Sequence, residues 1–331
     1  MAINPVLARE MRSRMRGRRS AILLTFWLAF NGMVLAVVYT AAENIAEQRF
    51  GFAGLANTVS IGRGIYEWTL FAMLMLMLLI IPAQAAGAIA GERERQTLIP
   101  LQVTLLSPRR ILVGKVTASV AFLVLLVVAA LPLLAVGYLV GGVTIGDILV
   151  GAAAVLFCGL VVAGMCISIS TYVRRVQAAT VLCYTLVLAL SVGTLLLFGA
   201  LAILDSSRGS DRADPPNAVL LANPLVTVAD LVGDDEATEL PSPFDGLYQL
   251  VHQNDDQSGR FENDFVGNGP VVFDERGGPA FVDQVAFAAQ EEESSRRVEF
   301  WMASGSLLAI AALCSLIVAN RLLRTPAETE R

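Results

Sequence analysis

The residues of this sequence best suited to chemistry are charged and clustered, but they make no catalytic pattern. Glu92-Arg93-Glu94-Arg95 places four alternating charges in one run, directly ahead of the largely apolar stretch Thr97–Leu106. Such a run can register a partner or hold helix ends, yet no nucleophile stands beside it. The only histidine, His252, is followed by Asn254, Asp255 and Asp256. Oxygen-rich loops suit calcium, but this spacing fits no calcium-binding loop and reads as an exposed acidic turn. The four cysteines, Cys158, Cys166, Cys183 and Cys314, all lie in apolar stretches and read as small packing hydrophobes. With none elsewhere, no disulfide framework is expected. A glycine-rich phosphate loop and the H-E-x-x-H and G-x-S-x-G patterns are absent. The chain is therefore not expected to hydrolyse nucleotide by a P-loop mechanism, and no catalytic, cofactor-binding or metal-binding residue is assigned to it.

The elements that carry these residues follow from hydropathy. Of 331 residues 55% are hydrophobic, above the ~45–50% of ordinary soluble domains, and the mean hydropathy is +0.64. The surplus is gathered into six stretches: Ser20–Ala42, Gly64–Ala90, Ile111–Val140, Ile145–Ser170, Gln177–Ile203 and Phe300–Asn320. Each supplies the ~20 residues that cross a ~30 Å hydrocarbon core. A soluble bundle with buried helices is the weaker alternative. The expected fold is an all-α polytopic membrane protein with six transmembrane helices. The first stretch is too long for a secretory leader and lacks a small-residue cleavage site, so it is expected to remain as an anchor.

Basic residues set the orientation. Arg9, Arg12, Arg14, Arg16, Arg18 and Arg19 precede the first stretch. Arg93, Arg95, Arg109, Arg110 and Lys115 lie between the second and third, Arg174 and Arg175 between the fourth and fifth, and Arg321, Arg324 and Arg331 after the sixth. These are alternate sides of one six-span path, and by the positive-inside rule all are expected in the cytoplasm, with both termini. Tyr39, Trp68, Tyr138 and Trp301 then fall near the outer helix ends. The resulting order is an amphipathic cytoplasmic interfacial helix over 1–19, helices one to five over 20–203 with a cytoplasmic loop at 91–110, an acidic extracytoplasmic loop over 204–298, helix six over 299–322 and a cytoplasmic tail over 323–331. In the first segment Ile3, Val6, Leu7, Met11 and Met15 share one helical face, opposite Arg9, Arg12, Arg16 and Arg19. A basic tail that merely enforces orientation is the alternative.

Between Leu204 and Arg297 stand 19 acidic and six basic residues. Such a surface does not bind nucleic acid through phosphate contacts. Within it Asn223–Gly233 reads as a short amphipathic helix at the membrane surface or the helix ends. Val271–Phe273 reads as a brief strand, Phe281–Ala289 as a second short helix, and Glu291–Glu293 as a solvated helix start or linker. Pro82 is expected to kink helix two, and Gly87 and Gly91 allow close helix approach. Mid-helix positions carry only neutral polar groups, such as Asn31, Thr185 and Ser191, where ion-coupled carriers and proton pumps keep a charge. Energy for transport must then come from a partner, unless the chain is passive.

Asn4-Pro5-Val6-Leu7-Ala8-Arg9-Glu10 with Arg12, Gly91-Glu92-Arg93-Glu94-Arg95, Thr97-Leu98, Ser107-Pro108 and Gly114-Lys115 resemble the ABC-2 type family of ABC transporter permeases. The sequence departs from that pattern at Gln96, where glycine is usual, and at Pro100, which interrupts the apolar run. The resemblance implies a transmembrane subunit that works with a separate ABC ATPase subunit, expected in two copies, which binds ATP and Mg. A second permease subunit, identical or related, would complete the pathway. It also implies that Glu92, Arg93, Glu94 and Arg95 lie in or beside the contact to the ATPase, with Leu98, Leu101 and Leu105 in its apolar part and Arg9 and Arg12 on the same surface. The expected function is export of a hydrophobic or amphipathic compound across a cell inner or plasma membrane. Two other classes stay open. One is a membrane scaffold whose ATP-driven motion acts on an extracytoplasmic protein through 204–297; the other is a membrane enzyme.

Overall fold

The computed structural model describes residues 18–49, 56–96, 108–207, 217–233, 240–252 and 283–322, all of them helix or short connection, with no strand among them. Helix α1 is Arg18–Arg49 and α2 Ala56–Ala85, continued by the short α3, Gly87–Glu94. Then come α4, Pro108–Val140, and α5, Ile145–Tyr172. Helix α6, Val176–Leu188, runs through one π-turn, Ala189–Gly193, into α7, Thr194–Ser207. After the 3-10 helix Asn217–Ala222 follow α8, Pro224–Val232, a helix α9 over 243–252, and α10, Asp283–Leu322.

Among the described residues six segments are long and apolar enough to span a bilayer: Ser20–Asn44, Val59–Glu94, Leu112–Val140, Ile145–Tyr172, Val176–Leu204 and Phe300–Leu322. Helices prevail because hydrocarbon offers no partner for a backbone N–H or C=O, and a helix satisfies both within itself. Spans two and four form the centre, with 67% of their most apolar residues buried, against 17% in span one and 11% in span five. Those two outer spans turn Ile22, Phe26, Met33 and Val37, and Val181, Leu188, Leu196 and Ile203, outward.

The turn between α4 and α5 is the Gly141–Gly142 pair, with φ of 112° and 85°. A side chain is disfavoured there by the backbone alone, and a Cβ on Gly142 would also lie 1.9 Å from Val59 O. Thr144 then caps α5 reciprocally: its Oγ1 accepts from Asp147 N, and Asp147 Oδ2 accepts from Thr144 N.

The region after span five goes deeper than the short helix expected at the membrane surface or the helix ends. The helix Pro224–Val232 is present, but every residue except Leu231 is buried. Together with the preceding 3-10 helix it forms a re-entrant hairpin. Pro224 O accepts from Cys158 Sγ at 3.7 Å, and Cys158 sits about 20 Å along α5 from its start at Ile145. The tip therefore reaches the middle of the spans. Asn223 builds this tip. Its Oδ1 accepts from Leu225 N as helix cap, while its Nδ2 donates to Ser191 O and Thr194 Oγ1, each at 2.8 Å. Ser191 lies in the π-turn, where the altered ladder presents a carbonyl to a donor from outside. Ser304 Oγ of α10 donates to Leu221 O and meets Thr227 Oγ1. Pro224 at the first helical position needs no N–H partner.

Helix α9 closes the hairpin from above. Phe244 is fully buried with its ring edge-on to Phe71, and Trp68 Nε1 donates to Pro241 O at 3.1 Å. Phe281–Ala289 is expected from sequence as a separate short helix and Glu291–Glu293 as a helix start or linker; from Asp283 onward the backbone is one 40-residue helix that runs into span six. The interfacial helix over 1–19 falls almost wholly outside the described residues, as do Val271–Phe273 and the tail.

Asn223→Ala should lower stability by about 2 kcal/mol, the sum of a lost cap and two intramembrane hydrogen bonds. Asn223→Ser keeps a cap acceptor and should recover roughly half of that loss. Thermal unfolding of the detergent-purified protein measures both.

Candidate coupling site

The six basic positions Arg18, Arg93, Arg95, Arg174, Arg175 and Arg321 belong to one end of the bundle, the basic face; α8 and α9 belong to the other, the cap face. The run Glu92–Arg95 lies on α3 and its C-terminal cap, so the junction of α2 with α3 determines where those charges go. Pro82 does not end the helix, because Ala86 N still donates to Pro82 O at 3.0 Å. The interruption comes four residues later, from a neighbouring span. Ser170 of α5, fully buried, donates through Oγ to Ala86 O at 2.6 Å and accepts from Ile89 N and Ala90 N at 3.0 and 2.9 Å. A hydroxyl inserted into the ladder is a recognised cause of a bend. Tyr184 Oη of α6 donates to Leu79 O on the turn before the proline.

Beyond the bend three of the four charges turn toward the chain itself. Glu92 Oε1 stands 3.5 Å from Lys115 Nζ of α4, a lysine only 3% exposed. Arg93 Nη1 donates to Thr171 O at 3.2 Å, at the C-terminal turn of α5, where cations are favoured. Glu94 Oε1 accepts from Val176 N at 2.8 Å, giving α6 a carboxylate at its positive end. Val176 also packs against both Gly87 and Gly91, whose added Cβ atoms would each meet it at 3.7 Å. One eight-residue helix thus holds the ends of α4, α5 and α6. Arg95 remains exposed.

Gln96 follows with φ of 55°. Its N–H donates to Arg93 O and that of Arg95 to Gly91 O, which closes α3 in a left-handed cap. This is the position where the resembled pattern carries glycine, and the geometry explains the preference. Of the residues expected at a partner contact, Glu92, Arg93 and Glu94 are brought together with three other spans, and Arg95 stands beside them. Arg9, Arg12, Leu98, Leu101 and Leu105 lie outside the described residues. Sequence reasoning missed Ser170 and Val176; neither carries a local signal, since both act on residues about 80 positions away.

A second polar group lies at the cap face. Arg63 Nε donates to Glu67 Oε1 at 2.9 Å and its Nη2 to Val232 O at 2.8 Å. His252, read from sequence as part of an exposed turn, stacks on Tyr248 and places Nε2 3.5 Å from Asp230 Oδ1 of the buried α8.

Six apolar helices with charge gathered at the bundle ends define a multi-pass membrane protein. Residues 4–249 match the family described as ABC-2 family transporter protein. That match spans most of the chain, and the chain belongs to this family, whose members are membrane components of transporters that associate with an ABC ATPase subunit. Among curated proteins none matches the chain.

Ser170→Ala should destabilise the protein by about 1–3 kcal/mol, because it removes the partner of two buried N–H groups and a carbonyl. Gln96→Gly should act oppositely, adding about 0.5–1 kcal/mol by relieving a left-handed residue that has a side chain. Both are read from thermal unfolding midpoints against wild type.

Proposed function

We propose that this chain is the permease half of an ATP-driven exporter of a hydrophobic or amphipathic compound. In this reading the basic face is cytoplasmic. Two ABC ATPase subunits, carrying ATP and Mg, dock there on two permeases, either two copies of this chain or this chain with a related one. The observation that carries the reading is the α3 junction. A short helix at the basic face grips the ends of three spans, so displacement of α3 by a docked partner moves α4, α5 and α6 together.

The charged run then has two roles. Glu92, Arg93 and Glu94 act inward as transmission residues, and Arg95, with the apolar segment that includes Leu98, Leu101 and Leu105, offers the contact to the ATPase. Arg9 and Arg12 belong to the same surface. Ion pairs at such a contact set registration more reliably than affinity. The apolar interior supports an apolar or amphipathic cargo.

Replacing Glu92 and Glu94 together by arginine should leave membrane insertion intact but lower the stability of the isolated permease and reduce coupled ATPase rate about tenfold or more. Arg95→Glu should instead weaken recovery of the ATPase complex while the isolated permease keeps its wild-type unfolding midpoint. Wild-type assembly and coupled rate in both variants would remove the cluster from the mechanism. For orientation, single cysteines at positions 93 and 174 in a background without Cys158, Cys166, Cys183 and Cys314 should label only from the cytoplasmic side, and those at 235 and 252 only from outside. Labelling of position 93 from outside would overturn the arrangement.

A further inference from the structure

A cavity of about 220 Å³ opens at the cap face between the first turns of α2 and α5 and the end of α8. Its wall carries two opposite charges, Arg63 and Asp147, beside Tyr66, Val150 and the Val232–Gly233 corner. We infer that this cavity holds the headgroup of a zwitterionic aminophospholipid, its phosphate on Arg63 and its ammonium on Asp147.

Depth is the first argument. Arg63 lies one turn inside the span that begins at Val59, and Asp147 is the third residue of the span that begins at Ile145. Both therefore stand where hydrocarbon gives way to water, the level of phospholipid headgroups. The mouth is the second argument. Val150 lines the cavity and is 46% exposed, next to Leu149 at 58% and Ile145 at 59%. Further into the bilayer the same side of α5 carries the exposed Ala153 and Leu160, where acyl chains attached to a bound headgroup would lie. A water-soluble ligand would have no use for it.

Preorganisation is the third argument. Arg63 is held from two sides, by Glu67 Oε1 and by Val232 O, so its planar fork is oriented before any ligand arrives. Asp147 is held by the bonds from Thr144 N and Thr144 Oγ1 to its Oδ2, and Tyr66 Oη donates to its carbonyl at 2.7 Å. Glu67, only 1% exposed, is paired with Arg63 on its inner side. A purely anionic headgroup would meet Asp147 and Glu67, and a simple cation would meet Arg63. A phosphate linked to a primary ammonium satisfies the wall, with charge-assisted hydrogen bonds at each end. The inference depends on membrane insertion and not on the direction or cargo of transport.

The full chain is purified in mild detergent after reconstitution into bilayers of equal parts phosphatidylethanolamine and phosphatidylglycerol, and retained lipid is counted by native mass spectrometry. Phosphatidylethanolamine should be retained over phosphatidylglycerol by about tenfold. Asp147→Asn, which keeps an oxygen to accept from Thr144 but removes the charge, should abolish that preference. Val150→Trp narrows the mouth with both charges intact and should reduce retention of either lipid; it serves if Asp147→Asn proves unstable. Displacement of the retained lipid by soluble phosphoethanolamine would assign recognition to the headgroup alone, and lack of displacement would assign it to headgroup and chains together; both support a lipid at this site. Equal retention of the two lipids by the wild-type chain, a preference unchanged in Asp147→Asn, or undiminished retention in Val150→Trp would overturn the proposal.

Discussion

Hydrocarbon cannot hydrogen-bond, and the rest of this structure depends on that. Wherever the helical ladder is interrupted inside the bilayer, a side chain from another span must take the freed groups. Among the described residues two such sites have a clear donor from elsewhere in the fold. Ser170 serves the bend between α2 and α3 and Asn223 serves the π-turn in span five, while Tyr184 adds a bond to Leu79 O near Pro82. Each repair comes from a different element, so the irregular points of single helices are also the points where elements are tied together. The Gly141–Gly142 turn needs no such help, because it lies at a bundle end where water can reach it.

The same constraint accounts for the placement of charge. Glu92, Arg93 and Glu94 lie past the bend and occupy helix ends, where lysine, carbonyl and N–H partners await them. Arg63, Glu67, Asp230 and His252 gather at the opposite end around the mouth of the re-entrant hairpin. Between these two ends the hairpin tip reaches only neutral groups: an amide, two hydroxyls, a thiol and carbonyls. Its mid-bilayer position is tolerated because those groups satisfy one another.

Much of this was legible in the sequence, for a physical reason. A span announces itself locally, by some twenty apolar residues in a row, and all six expected stretches overlap the observed spans closely, with ends that differ by up to five residues. The turn at Gly141–Gly142 is similarly local. The re-entrant hairpin was not legible, because 217–232 is too short to register as a span and its Asn223, Thr227 and Asp230 read as surface residues. They are buried only because spans four, five and six and helix α9 supply partners from elsewhere in the chain. The inward turn of Glu92–Glu94 was hidden in the same way, since alternating charge reads as solvated and its partners Lys115, Thr171 and Val176 are distant in sequence. Even Gln96 became interpretable only with its dihedral angle, which shows what a glycine at that place would be for.

These features divide the bundle into a part packed on most sides and a part held at discrete points. Spans two and four are buried on most sides and bear the hairpin against α5, so shifting one past the other would break many packed contacts at once. Span five is buried least, yet it is fastened at three heights: Glu94 at its N-terminus, Tyr184 a little further along, and the Asn223 bonds in its middle. A helix loosely packed on its faces but tied at discrete points can tilt as a unit when its end is moved. The tie at its end comes from α3 and the tie at its middle comes from the re-entrant tip. A continuous, hydrogen-bonded route therefore links the basic face to the element that fills the cap half of the bundle, and that route is span five.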